Sequence, residues 1–250
     1  MTDIFDNGQH HRARLGFVLL ATEQTIEENM FRLRPEGVGL HFTRAAIPDS
    51  ITVESLSAQA NELAGAASAL LPDGSLDVIA YACTSGSLVI GEDRVFEQLR
   101  RGAPTAEPTS LITSVIRALR HAGARKIAIA TPYLDEINRR ERDYLCDRGF
   151  EVTNIVGLGL EKDSDMIRVR PDYIMEFAAG ADTPDADALF ISCGALRSLD
   201  IVGALEKRLS KPVICSNQAL MWDMLRLAGI TDRITGYGGL LAGRRDFELD

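Results

Sequence analysis

Short apolar runs alternate along this chain with amphipathic stretches. The runs Arg14–Leu20 (RLGFVLL), Gly37–Ile47, Asp77–Ala82, Lys126–Ala130, Glu151–Leu160, Asp187–Ser192 and Pro212–Cys215 read as strands. They are short and do not alternate apolar with polar positions, so both faces are expected to be covered. Between them, Val53–Leu71, Arg94–Arg101, Thr109–Ala122, Leu134–Arg148, Pro171–Ala178, Leu199–Leu209 and Gln218–Ala228 read as helices. Thr109–Ala122 is the best marked. Pro108-Thr109-Ser110 opens it, Leu111, Val115, Ile116 and Leu119 share one face, and Gly123 stops it. Strands alternating with helices predict an α/β fold built on mostly parallel sheet. In such sheets, ligands sit beyond the carboxyl ends of the strands.

One segment echoes another. Asp77-Val78-Ile79-Ala80-Tyr81-Ala82 leads into Cys83 and then Thr84-Ser85-Gly86-Ser87. Asp187-Ala188-Leu189-Phe190-Ile191-Ser192 leads into Cys193 and then Gly194-Ala195-Leu196. Both are Asp-led apolar strands that end in a cysteine followed by small residues, and the two cysteines are 110 positions apart. The echo predicts two similar lobes, each offering one thiol at a strand end.

Composition narrows the chemistry. The 250 residues are 46% hydrophobic and 25% charged, which suits a globular chain with a sizeable core. A net charge of -9 argues against nucleic acid or an anionic membrane surface as partner, while leaving room for a small anion held by local donors. No run reaches the length of a membrane span, and the polar Met1–Arg14 stretch lacks the apolar core of a signal peptide. Four widely spaced cysteines (Cys83, Cys146, Cys193, Cys215) form no CxxC pair, and none clusters with His10, His11, His41 or His121. A reducing, cytoplasmic setting is therefore expected, with no metal and no disulfide framework.

A thiol at a strand end is ordinarily a core residue, but two in matched contexts favour chemistry. A cysteine ahead of a helix N-terminus can have its pKa of about 8.5 drawn toward or below neutrality. Without such help, a thiolate at pH 7 costs roughly 2 kcal/mol. Thr84, Ser85, Gly194, Ala195 and Leu196 would offer backbone N–H donors to a carboxylate or an enolate-like intermediate. Two facing thiols suit removal of a proton from one face of a carbon and delivery to the other. They equally suit attack by one thiolate and proton donation by its partner.

These cysteine contexts, their spacing, the turn Ala130-Thr131-Pro132-Tyr133 and the closing Gly236-Tyr237-Gly238-Gly239-Leu240-Leu241 resemble the aspartate/glutamate racemase superfamily. Within it, the resemblance is to the branch of maleate cis-trans isomerases and arylmalonate decarboxylases, and it covers about Arg14 to Leu241. It implies two pseudo-symmetric lobes with the active site between them, and neither metal nor organic cofactor. With the echo, it places a flexible tail at 1–13, a first lobe at 14–110 with 216–250, and a second lobe at 111–215. It implies Cys83 as nucleophile or base and Cys193 as the opposing acid, with Tyr133 on the substrate. Decarboxylases of this branch keep only the second cysteine, whereas this chain has both. The family's Pro-Ser-Ser-Asn loop after the first strand is replaced by Ala21-Thr22-Glu23-Gln24-Thr25. Thr22 and Gln24 are the carboxylate-binding candidates there, and Glu23 between them is unfavourable for a dianion.

The expected function is a cofactor-independent two-cysteine isomerase or racemase of a small carboxylate or dicarboxylate, acting as an oligomer of identical chains. The carboxylate cradle would comprise Thr22, Gln24, Thr84, Ser85, Tyr133, Asn138, Gly194, Ala195 and Leu196. The alternatives are an arylmalonate-type decarboxylase using Cys193 as proton donor, and a non-catalytic binding protein for small acids. Cys215, followed by Ser216-Asn217, reads as the end of a capped strand, and Cys146 as a helix-surface residue. Gly236-Tyr237-Gly238-Gly239 lacks the strand, helix and acidic residue of a dinucleotide site.

Overall fold

The computed structural model describes residues 4–243. Residues 1–3 of the expected tail and residues 244–250 of the expected first lobe lie outside the described residues. Two four-stranded, all-parallel sheets make the frame. The first contains β1 (Ala13–Leu20), β2 (Val38–Ala45), β3 (Val78–Tyr81) and β4 (Glu107–Ser110), in the order β2-β1-β3-β4. The second contains β5 (Lys126–Thr131), β6 (Glu151–Gly157), β7 (Ala188–Ile191) and β8 (Val213–Cys215), in the order β6-β5-β7-β8. The same order recurs strand for strand, so β3 and β7, which carry the two thiols at their ends, occupy equivalent places. All four residues of each are buried. The leading aspartates of the echo do the same work. Asp77 accepts from the amide of Arg14, and Asp187 from those of Arg125 and Lys126. Each ties the foot of its strand to the foot of the central one.

The helices are α1 (Ile26–Leu33), α2 (Val53–Gln59), α3 (Leu63–Ser68), α4 (Thr84–Ile90), α5 (Glu92–Gly102), α6 (Leu111–His121), α7 (Asp135–Asp147), α8 (Asp163–Met166), α9 (Pro171–Ala181), α10 (Val202–Leu209), α11 (Ser216–Leu227) and α12 (Gly239–Ala242). None of the described helices is long and apolar enough to cross a membrane. The helices α6 and α11 follow the equivalent edge strands β4 and β8 and pack against each other. Asp223 of α11 is nearly fully buried and accepts from Thr109, Ser114 and Arg117, locking the pair.

Three expectations about elements are corrected. Val53–Leu71 is two helices, broken at Ala60–Glu62, where Asn61 is a poor helix former. Gln59 ends the first helix with its side chain inward, donating to the Ala45 carbonyl. Pro108-Thr109-Ser110 is not a helical turn but most of β4. That strand lies at the sheet edge, where proline's missing N–H is tolerated, and Ser110 caps α6 by accepting from Thr113. The helix α1 was not expected, although Ile26, Met30 and Leu33 sit on one face and are buried.

Candidate active site

The carboxyl ends of both sheets converge on one narrow, partly open pocket with room for little more than a water molecule. Cys83, Thr84 and Ser85 reach it from the end of β3, Cys193, Gly194 and Ala195 from the end of β7, and Tyr133 from the end of β5. Leu20, Glu23, Ile51, Ala82, Asp163 and Met166 complete the lining. Residues 49–51 and 161–164, one segment from each half, are strapped together. Ser50 bridges Lys162, the Ile51 amide donates to Glu161, and Asp49 accepts from the backbone and hydroxyl of Ser164. Ile51 and Asp163 of this strap face the cavity.

The two thiols differ in their backbone settings. Cys83 is the N-cap of α4, its sulfur accepting from the Gly86 amide at 3.2 Å and lying 3.6 Å from the Ser85 hydroxyl. Behind it, the fully buried Tyr81 donates its hydroxyl to Gln59 and also contacts the Cys83 sulfur. Cys193 caps no helix, because Gly194–Ser198 is a loop. It holds φ at +94°, a backbone state that is strained for a side-chain-bearing residue and characteristic of functional positions. Its sulfur contacts the Tyr133 hydroxyl and the Ala195 amide. The Ser216 hydroxyl accepts from the Cys193 amide at 3.0 Å and lies 3.2 Å from the Thr84 hydroxyl, so one serine joins the two cysteine loops. The next residue, Asn217, donates to the Gly194 carbonyl and to Asn29. If φ at Cys193 is strained, Cys193→Gly is expected to be about 1 kcal/mol more stable than Cys193→Ala in denaturant titrations. This would reverse the usual order, in which glycine is the costlier of the two.

The expectation of thiols acidified by helix ends is overturned. Burial pushes Cys83 up to about 11, and it pushes Cys193 up as well, with the carboxylates of Asp163 and Glu23 adding to the effect there. Both thiols are 6% exposed and hold their protons in the free protein. Cys215 is buried, with its thiol also pushed up to about 11, whereas Cys146 is exposed. A thiol reagent at neutral pH is therefore expected to titrate one cysteine rapidly and three slowly, and Cys146→Ser should abolish the fast phase.

Of the expected cradle, Thr84, Ser85, Tyr133, Gly194 and Ala195 line the cavity. Four other residues do not. Gln24 is exposed and points away, because Glu23 takes the inward position and anchors there through the amides of Thr25 and Ile26. Thr22 donates to Asp163 at 2.6 Å and so acts behind the lining. Asn138 is buried beneath Tyr133, bonded to its carbonyl and to Thr131. Leu196 is buried but turned into the core. Sequence reasoning missed Asp163, which sits in an acidic run that reads as solvated surface, and also Ser216 and Tyr81. The position of Ser216 just beyond a strand's carboxyl end was the available signal. Among the described residues no group of three or more His, Cys, Asp or Glu side chains is arranged to hold a metal ion.

Comparison with known proteins agrees with this frame. An arylmalonate decarboxylase from Bordetella bronchiseptica is 36% identical over 135 residues, which cover 53% of this chain and 56% of that enzyme. A maleate isomerase from Nocardia farcinica is 27% identical over 240 residues, covering 91% and 95% of the two chains. The maleate isomerase Iso of Pseudomonas putida S16 superposes with a TM-score of 0.85 over 92% of this chain and 98% of its own, at 24% identity, and so speaks for the fold. A liganded arylmalonate decarboxylase variant, with one glycine changed to cysteine and one cysteine to serine, superposes with a TM-score of 0.83 at 28% identity, covering 91% of this chain and 98% of its own. The family model of arylmalonate decarboxylase matches residues 35–241. The chain therefore belongs to the arylmalonate decarboxylase family, in the branch of the aspartate/glutamate racemase-like superfamily that also holds the maleate isomerases.

Proposed function

We propose that this protein is a cofactor-independent isomerase that acts on a small carboxylic acid through two thiols, Cys83 and Cys193. The observation that carries this reading is that equivalent strand ends of the two sheets each deliver a cysteine to one narrow pocket. Related enzymes named maleate isomerase and arylmalonate decarboxylase support an isomerase or decarboxylase of small acids.

The chemistry follows from the thiols' settings. Cys83, whose sulfur caps α4 and accepts from the Gly86 amide, serves as thiolate base. Forming it at pH 7 from a pKa of about 11 costs about 5 kcal/mol, which substrate binding must offset. The thiolate takes the proton from the carbon beside the substrate carboxyl, and the freed electron pair delocalises into that carboxyl. The thiol of Cys193 delivers its proton to the opposite face, leaving a second thiolate stabilised by Tyr133 and the Ala195 amide. Proton and electron pair balance without an oxidant, and once the product leaves, loss of a proton from Cys83 to solvent and gain of one by Cys193 restore the starting state. The hydroxyls of Thr84 and Ser85 are the donors for the substrate carboxylate.

Decarboxylation is the second reading, favoured by the family match. It needs only Cys193 as proton donor. Proton NMR in D2O separates the two, using malonates, maleate and amino acids as substrates. Deuterium entering a carbon-bound position without loss of CO2, or cis acid turning trans, supports the isomerase. Loss of CO2 that survives Cys83→Ala overturns it.

A further inference from the structure

Among the described residues the charged side chains lining the cavity are Glu23 and Asp163, both almost fully buried, and no described lysine, arginine or histidine lines it. The guanidinium of Arg44 bonds the carbonyls of Leu20 and Glu23 and the carboxylate of Glu27, and Arg44 does not line the cavity. Each acid is built into place. Glu23 is held by the amides of Thr25 and Ile26, and Asp163 by the Thr22 hydroxyl and by the hydrogen bond that its own amide donates to the Asp49 carbonyl. These donors are neutral and fix position without balancing charge. Buried carboxylates are normally paired with a cation, and here the described residues that line the cavity provide none. We propose that the substrate provides it: the molecule taken by the two thiols carries a cationic nitrogen that pairs with Glu23 and Asp163, and a dicarboxylate dianion is rejected by the same two acids. The proposal rests on the two-thiol reading for the chemistry, but not for the binding.

The same cation would serve the reaction. A positive charge beside Cys83 and Cys193 favours the thiolate that burial suppresses, whereas a second substrate carboxylate would suppress it further. The titratable groups facing the acids make the sign definite. Glu23 and Asp163 face each other, Asp49 lies behind Asp163, and both thiols add to the negative side once ionised. Burial pushes Glu23 up to about 7, so near neutrality the empty site holds part of a proton. A cation expels that proton on binding, and a dianion draws one in.

The test is calorimetric titration of the full chain with butyrate, 2-aminobutyrate, 4-aminobutyrate and succinate. Measurement near pH 7 in two buffers of different ionisation heat counts the protons exchanged. An aminobutyrate is expected to bind roughly ten- to a hundredfold more tightly than succinate, the contribution of one charge-assisted hydrogen bond, with proton release. Glu23→Gln and Asp163→Asn are each expected to shrink that preference, and succinate should gain. Succinate binding at least as tightly as both aminobutyrates overturns the proposal, as does the absence of any preference, non-binding of all four included. The wild-type series decides even if a variant fails to fold. Because binding is the readout, preserved charge selection with no deuterium exchange in any acid would overturn the two-thiol chemistry and leave this inference standing.

Discussion

Cys193→Ala and Cys83→Ala are each expected to lower turnover by about 10²- to 10⁴-fold, the usual consequence of removing a positioned proton-transfer group. The two losses should be of similar size, because an exchange of protons across a carbon needs a group on either side. They should also be far from additive in the double variant, since one missing thiol already stops the cycle. Initial rates in D2O measure both, and a Cys83→Ala enzyme within a fewfold of wild type would reject the isomerase. The pH profile supplies an independent check. The Cys83 thiol sits at about 11, so the thiolate fraction grows about tenfold per pH unit below it. The kcat/KM of the wild type should therefore climb from about pH 7 to about pH 10 rather than peak at neutrality.

Tyr81→Ala is expected to destabilise the protein by about 3–5 kcal/mol, as for other large aromatic side chains removed from a packed core. Tyr81 is fully buried, and its hydroxyl serves Gln59 and Cys83 together. Gly86 exists in relation to it, because a Cβ at that position would lie 2.1 Å from the Tyr81 hydroxyl oxygen and 2.8 Å from the ring carbon that bears it. Gly86→Ala should consequently cost about 1–3 kcal/mol, although alanine is the better helix former in α4. In the Tyr81→Phe background the alanine meets no hydroxyl and should cost measurably less. Denaturant melts of the four proteins give the coupling directly. Equal costs of Gly86→Ala in both backgrounds would show that Tyr81 has room to move.

The frame was legible because parallel-sheet physics writes itself into local pattern. Runs such as Ile127–Ala130 and Ala188–Ile191 are apolar throughout, and the Asp-led, Cys-ended echo encodes an equivalence that the strand orders display. The inward or outward sense of a loop is not written that way. In Ala21–Thr25, polar residues outnumber apolar ones, and nothing local distinguishes Glu23 from Gln24. The choice is made by the amides of Thr25 and Ile26, which are available only because α1 begins there. The acidity of the thiols was misjudged for a related reason. The helix end at Cys83 is real, but enclosure by the other half of the molecule outweighs it, and that enclosure is a long-range property. Asp163 was invisible for the same cause, since its burial depends on Thr22, 141 residues away.

The pairing of α6 with α11 bears on how such a molecule comes to exist. Each helix continues from the edge strand of one sheet and covers its apolar face against a helix issuing from the other, with Asp223 of one seated on Thr109, Ser114 and Arg117 of the other segment. Helix α11 also reaches β3 and β4 of the first sheet, and α6 reaches β8 of the second. A chain growing from a ribosome would hold α6 unsheltered until about a hundred further residues had emerged, and the first half would wait for its closing partner. Cut between the halves, the protein should work only by complementation of its fragments. The seam of α6 with α11 and the cavity with its two thiols thus come into being together, only once both halves are in place.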